Sequence, residues 1–216
     1  MKNVKTALSA LYLYFLASIV VLAAAQAAGY TKLNVKGRVQ LEVPSDWTIS
    51  DAEQRRRVKE LAEKVTGVAI EHVASLSVQS YPAPPRVLVR VSFLPMEPPL
   101  TQAEVLQEVR ANKQQVLRDL ADVWREGAPT MWAGMARYGI REVGRPSFAV
   151  ESFGGQTALI IRYGRTSTAN SAETMRVTQY HVPLGAEKAL ITLSYIEGDQ
   201  QAIAAHDRLK RSIVIR

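Results

Sequence analysis

The 216-residue sequence predicts an α+β fold in which a largely antiparallel sheet is flanked by helices. Short strand-like segments occur in runs instead of alternating singly with helices, which is the arrangement of α+β domains. Three other segments carry apolar residues at helical spacing, each behind a polar residue suited to capping. No Gly/Ser-rich linker or internal repeat divides the chain. We therefore expect a single domain built as an α/β/α sandwich.

The N-terminus has the pattern of a secretory signal. Lys2 and Lys5 are followed by an uncharged, largely apolar stretch over residues 6–31, and Ala25-Gln26-Ala27 matches a cleavage site. An uncleaved anchor is the alternative, because about 17–25 apolar residues span a bilayer. Under either interpretation the basic N-terminus stays on the cytoplasmic side of the membrane and the remaining chain is exported. We predict a signal peptide or anchor over residues 1–27 and one domain over 28–216.

Composition narrows the classes of function. The chain has no cysteine, so an exported domain of this sequence relies on its core and not on disulfides. The formal charge is +7, which favours anionic partners in a general way. The basic residues are spread along the chain without an aromatic–basic recognition motif, so we expect no binding of nucleic acid.

Two strands and a helix are predicted in the first part of the domain. Apolar and polar residues alternate over 30–43, which indicates two short strands or one strand bent at Gly37. Ser50 and Glu53 have the spacing of a capping box at the start of a helix. The apolar face of that helix is predicted to consist of Val58, Leu61, Ala62 and Val65.

The remaining segments continue this pattern. Strands are predicted over 73–80 and 86–94, and a capping box of Thr101 and Glu104 opens a long helix over 102–126. From Met131 onward the chain is predicted to be β, with strands over 147–153, 158–165, 174–182 and 189–196. A hairpin turn is expected at Gly154-Gly155. Asp199 is predicted to cap a last helix that ends near Arg211.

Five segments together resemble a known family. They are Val43-Pro-Ser-Asp-Trp47, Ala158-Leu-Ile-Ile-Arg-Tyr163, Gln179-Tyr-His-Val-Pro183, Leu190-Ile-Thr-Leu-Ser194 and Arg211-Ser-Ile-Val-Ile215. With these packing motifs the sequence resembles the PsbP/Mog-type α/β/α sandwich family, which includes DcrB-like bacterial envelope proteins. The resemblance spans most of residues 28–216. It implies a sheet between helices and a role in protein binding, and it supplies no catalytic residue to carry over.

A search for chemistry gives no catalytic, cofactor or metal site. His72, His181 and His206 are isolated in sequence and lack metal-ligand spacing. The Gly-x-Ser-x-Gly turn of serine hydrolases, the Walker loop and Gly-x-Gly-x-x-Gly are all missing from the sequence. We therefore expect no enzyme activity and no cofactor.

Three regions are candidates for an interaction surface, and each also has a purely structural interpretation. The densest basic cluster is either a docking site for acidic groups or an ordinary solvated helix face. Two proline-flanked loops either recognise a partner or only end strands. An apolar run around residue 132 is either core or an exposed patch. The residues in question are Arg55, Arg56, Arg57, Lys59, Tyr81, Met96 and Trp132.

These observations predict an exported, periplasmic or envelope protein of non-catalytic accessory or protein-interaction type. The expected partner is an envelope protein, and an anionic membrane surface is a second candidate. A binder of a small apolar or lipid ligand between sheet and helix is the alternative function, and an unrecognised hydrolase is the third. A filled core beside an exposed patch favours the first, an apolar cavity the second, and converging histidine and carboxylate groups the third.

Overall fold

The computed structural model describes residues 29–66, 69–70, 72–80, 85–169 and 171–216. The predicted signal segment, residues 1–27, lies outside these ranges. The elements in chain order are β1 (Tyr30–Val35), β2 (Val39–Pro44), β3 (Thr48–Ile49), α1 (Ala52–Thr66), β4 (Leu76–Gln79), β5 (Val87–Leu100), α2 (Gln102–Ala136), β6 (Glu142–Phe153), β7 (Gln156–Thr166), β8 (Thr174–Pro183), β9 (Gly185–Ile196), α3 (Gln200–Ser212) and β10 (Val214–Ile215).

The strands form two sheets in which every pairing is antiparallel. The large sheet has the order β3-β4-β5-β9-β8-β7-β6, and the small sheet has the order β1-β2-β10. Residues 30–43 thus form two separate strands, joined by a turn at Gly37. The predicted α+β class, with a largely antiparallel sheet flanked by helices, is confirmed.

The large sheet has two different faces, because side chains alternate along each strand. On one face Val89, Val91 and Leu193 are fully buried and pack with residues of β2, α3 and β10. We call this the core face. On the opposite face Trp124 and Trp132 of α2 pack against residues of β7 and β8. We call this the helix face. No helix among the described residues is long and apolar enough to cross a membrane.

The long helix extends further than predicted. It continues to Ala136, so the prediction that the chain is β from Met131 is wrong. The apolar face that Trp124 presents to the sheet is continued by Ala128 and Trp132, and this packing outweighs the local breaking effect of Pro129. The helical backbone is interrupted instead at Asn112, where φ is −139°.

Predictions of the helix caps have a mixed outcome. The capping box at Thr101/Glu104 and the N-cap at Asp199 are confirmed. The box predicted at Ser50/Glu53 is wrong by one residue, because Asp51 and Gln54 make the reciprocal side-chain to backbone bonds. Leu61, predicted on the apolar face of α1, is 58% exposed.

Candidate functional site

A cleft of about 290 Å³ opens on the core face of the large sheet, beside α3. Its floor is formed by β7 and β8, and its walls by the beginning of β6 on one side and by α3 on the other. Four cationic side chains line it, and we call it the arginine cleft. The cationic and polar lining residues that matter here are Arg145, Arg162, Arg176, Lys210, Ser147, Thr178, Tyr195 and His206.

A β-bulge brings Arg145 to the rim of this cleft. Val143 pairs with Gly164 and Ser147 pairs with Arg162, so β6 carries extra residues between these two pairs. A Cβ atom at residue 164 would lie 2.5 Å from the carbonyl oxygen of Val143, so this close approach of the two strands requires glycine at that position. Bulges of this kind redirect a side chain and frequently occur beside functional sites.

The four cations of the arginine cleft differ in how they are neutralised. Arg162 and Arg176 form ion pairs of 2.7 Å with Glu151 and Glu197, respectively. Arg145 has no ion pair within the described part of the chain, and it is solvent-exposed.

Lys210, on the opposite wall, also lacks a carboxylate partner among the described residues. Its Nζ lies 5.8 Å from the centre of the Tyr180 ring, as a cation–π contact. Two uncompensated positive charges, Arg145 and Lys210, therefore line a cleft between separate elements.

The histidine in the cleft does not add a third free charge. His206 is 7% exposed, and its ring lies 4.6 Å from that of Tyr195. Burial lowers the pKa of His206 more than the neighbouring Asp207 raises it, so the imidazole is neutral at pH 7. Nδ1 is 3.1 Å from the Asp207 carboxylate, while Nε2 is buried without a hydrogen-bond partner. The cleft therefore holds no histidine bonded to a serine hydroxyl.

The part of the chain that the structure describes contains no cluster of metal-binding side chains. No group of three or more histidine, cysteine, aspartate or glutamate side chains there is placed to hold a metal ion.

The basic cluster predicted on the first helix is largely engaged within that helix. Arg55 donates a hydrogen bond of 2.5 Å to the Ser50 carbonyl oxygen, Arg57 pairs with Glu53, and Lys59 pairs with Glu63 at 2.8 Å. Arg56 is exposed. These contacts account for the cluster as a solvated helix face, and its role in docking stays a prediction.

The other predicted surface residues lie apart from each other and from the arginine cleft. Met96 is half-buried on β5. Trp132 is half-buried in an aromatic group on the helix face, with ring centres 6.5 Å from Trp124 and 5.7 Å from Tyr163. Tyr81 lies outside the described residues.

Sequence reasoning missed the arginine cleft. The one available signal was that Arg162 and Arg176 occupy strand positions on the same face as buried apolar residues such as Ile160 and Tyr180. A charged residue at such a position indicates that the apolar core ends there. The sequence did not show that α3 would supply the other wall.

Comparison with known proteins gives structural similarities at low sequence identity. No family model and no curated protein matches it. Among solved structures it is similar to a protein from Bacteroides thetaiotaomicron VPI-5482 (10% identity, 88% of this chain and 49% of that chain, TM-score 0.44). It is also similar to LpqN, involved in cell envelope biogenesis of Mycobacterium tuberculosis (15% identity, 87% and 90%, TM-score 0.41). A third is cyanobacterial PsbP from Synechocystis sp. PCC 6803 (12% identity, 88% and 94%, TM-score 0.45).

The chain spans about half the length of the Bacteroides structure that it matches. A PsbP protein, from the family that the sequence resembles, is among these structures. With TM-scores below 0.5 the likeness carries no argument about function.

Proposed function

We propose that this domain is a non-catalytic interaction module of the cell envelope, and that it docks an acidic surface of a protein partner in the arginine cleft. The observation that carries the proposal is the pair of uncompensated cations, Arg145 and Lys210, on opposite walls of that cleft. The export pattern of residues 1–27 supports an envelope location.

An acidic protein surface fits this arrangement better than a small, highly charged ligand. Two of the four cations are already balanced by Glu151 and Glu197. The cleft therefore offers two separated single positive charges, and not one dense cluster of positive charge. Aspartate and glutamate side chains of a partner supply single charges at such spacing. Charge complementarity of this kind steers association and fixes the orientation of the partner.

The test is affinity purification of the tagged full chain from gently solubilised envelopes, with bound proteins identified by mass spectrometry. The variant Arg145→Glu/Lys210→Glu reverses the two free charges. The triple variant Arg55→Glu/Arg56→Glu/Arg57→Glu reverses the α1 cluster and is the control, and thermal unfolding verifies that both variants are folded.

The three outcomes separate the possible surfaces. A protein that binds the unmodified chain and the α1 variant, but not the cleft variant, supports the proposal. Retention by the cleft variant with loss in the α1 variant moves the docking surface to α1 and overturns the role of the cleft. Recovery of the chain without any protein partner overturns the interaction function itself.

A further inference from the structure

The two edges of the large sheet differ in how much backbone they expose. At one edge β3 has only two residues, Thr48–Ile49, and so short a strand offers few backbone groups to another chain. At the other edge β6 has twelve residues, Glu142–Phe153, and its only strand neighbour among the described residues is β7. The edge formed by β6 therefore presents backbone groups that no described strand uses.

The hairpin turn determines which backbone groups of β6 are free. Gly154 and Gly155 both have positive φ, as in a two-residue hairpin turn. The residues on either side of the turn, Phe153 and Gln156, therefore exchange their backbone hydrogen bonds, and bonded and non-bonded pairs alternate from there along the two strands. The residues whose N–H and C=O groups point away from β7 are Phe148, Val150 and Ser152.

Two observations support this assignment. Thr157 lies opposite Ser152, yet its N–H and C=O bind the side chain of Gln102 over 2.7 and 3.1 Å, so this strand pair is a non-bonded one. Furthermore, no described residue forms a hydrogen bond with the backbone of Phe148, Val150 or Ser152. Three N–H groups and three C=O groups are thus available to another strand. We call residues 148–152 the open edge.

The open edge is bounded at both ends. On the side of Glu142, the bulge between Val143 and Ser147 interrupts the row of free groups, and Pro146 has no N–H to donate. Bulges and prolines of this kind protect sheet edges from further pairing. On the other side the chain turns back at Gly154. The free groups are therefore confined to three alternate positions that are symmetric about Val150.

We propose that the open edge pairs with the open edge of a second copy of this chain, antiparallel and about a two-fold axis at Val150. In this register Val150 lies opposite its own equivalent, and Phe148 lies opposite Ser152 of the partner subunit. Three residue pairs with two hydrogen bonds each then use every free group of both copies. The two seven-stranded sheets become one continuous sheet with a symmetric interface.

The side chains of β6 are compatible with this register. On the helix face the two valines form an apolar cross-strand pair, and the small Ser152 lies beside Phe148, which packs against the cluster under α2. On the core face Glu151 lies opposite Ala149 of the partner subunit. The charge of Glu151 is balanced within its own copy by Arg162, at 2.7 Å. No like charges therefore face each other directly.

The long helices leave room for the second copy. α2 begins beside Thr157 of β7, where Gln102 binds, and lies against β6 at Pro146 and Phe148. Residue 147, between these two, lies opposite Phe153 of the partner subunit. The two α2 contacts are therefore about six positions apart along the strands, roughly 20 Å. This is about twice the width of a helix.

Sedimentation velocity tests the dimer over a concentration series of the chain, expressed in full and purified in the form that the cells accumulate. One strand pair is a small interface, so we expect a reversible dimer that dissociates on dilution. Val150→Lys places two positive charges opposite each other at the two-fold axis and should weaken the dimer about tenfold or more.

Val123→Lys is the matched control for this variant. It makes the same substitution at a valine of α2 that is 65% exposed, and it should leave the dimer unchanged. Thermal unfolding verifies that both lysine variants are folded.

Disulfide formation tests the register, because the chain has no cysteine of its own. Opposite residues in a hydrogen-bonded pair have Cα atoms about 5.5 Å apart, which a disulfide can span. Val150→Cys should therefore give a covalent dimer when oxygen and copper–phenanthroline are the oxidant. Ser152→Cys is the control on the same strand and the same face. In this register its Cα lies roughly 14 Å from that of its equivalent, so it should stay monomeric.

Four results overturn the proposal. A monomer at every concentration excludes the dimer, and a dimer that Val150→Lys does not weaken uses another surface. Equal cross-linking of Val150→Cys and Ser152→Cys excludes the register. Recovery of the chain with a different polypeptide, which Val150→Lys releases, replaces the second copy by that polypeptide. The arginine cleft is tested by other substitutions, at Arg145 and Lys210, so the two proposals fail separately.

Discussion

The crossing of the two long helices gives the sharpest test of the packing. Gly134 of α2 faces the backbone of Thr66 at the end of α1, and a Cβ atom there would lie 2.5 Å from both the carbonyl carbon and the Cα of Thr66. Real Cβ atoms do not approach backbone so closely, and a backbone segment cannot rotate away as a flexible side chain does. Gly134→Ala must therefore push α1 away from α2.

Two effects of opposite sign determine how much Gly134→Ala changes the free energy of unfolding. Alanine favours a helix over glycine by about 1 kcal/mol. Overpacking at a close contact costs about 1–3 kcal/mol. Gly127 isolates the first effect, because it lies in the same helix and a Cβ there would meet no atom within 4 Å. We expect Gly127→Ala to raise the free energy of unfolding by up to about 1 kcal/mol, and Gly134→Ala to lower it by up to about 2 kcal/mol.

Urea unfolding followed by circular dichroism measures both variants. A value for Gly134→Ala that is at least 1 kcal/mol below that of Gly127→Ala agrees with the close crossing. If the two variants are stabilised equally, α1 does not rest on Gly134, and the close crossing of the two helices is refuted.

Two further predictions concern single side chains. Burial lowers the pKa of His181 from 6.5 to about 4, so the unfolded chain binds a proton over a pH range in which the folded chain does not. The free energy of unfolding should therefore fall by up to about 3 kcal/mol between pH 6.5 and 4, and His181→Gln should flatten this part of the profile; an unchanged profile contradicts the assignment. Thr101→Ala removes the acceptor for the Glu104 backbone N–H and should lower stability by about 1 kcal/mol, measured by urea unfolding. Equal stability would show that the cap contributes nothing.

Features set by neighbouring residues were predictable from the sequence. The hairpin turn at Gly154-Gly155 forms as expected, with φ of +61° and +86°, because glycine adopts positive φ without steric cost. The box at Thr101 and Glu104 depends on residues three apart and was also identified correctly. The alternation of Val87, Val89, Val91 and Phe93 predicted one buried strand face, and all four side chains are buried.

Features that depend on distant elements were not predictable in this way. Pro129 has the local character of a helix end, and only the packing of Trp124 and Trp132 on β7 and β8 keeps the chain helical. The arginine cleft requires the β6 bulge and α3 to meet across the sheet.

The last strand has a consequence for the order in which the domain folds. Residues of β10 pair with β2, and Ile215 donates its backbone N–H to the Gly154 carbonyl oxygen over 2.9 Å. The beginning, the middle and the end of the described chain thus meet in one place. These contacts join residues that are far apart in sequence, which raises the contact order of the fold. Val39 and Leu41, fully buried in the folded domain, stay without their final cover until residue 215 has been synthesised. A chain that leaves the ribosome gradually therefore cannot complete its core before its last residues have been added.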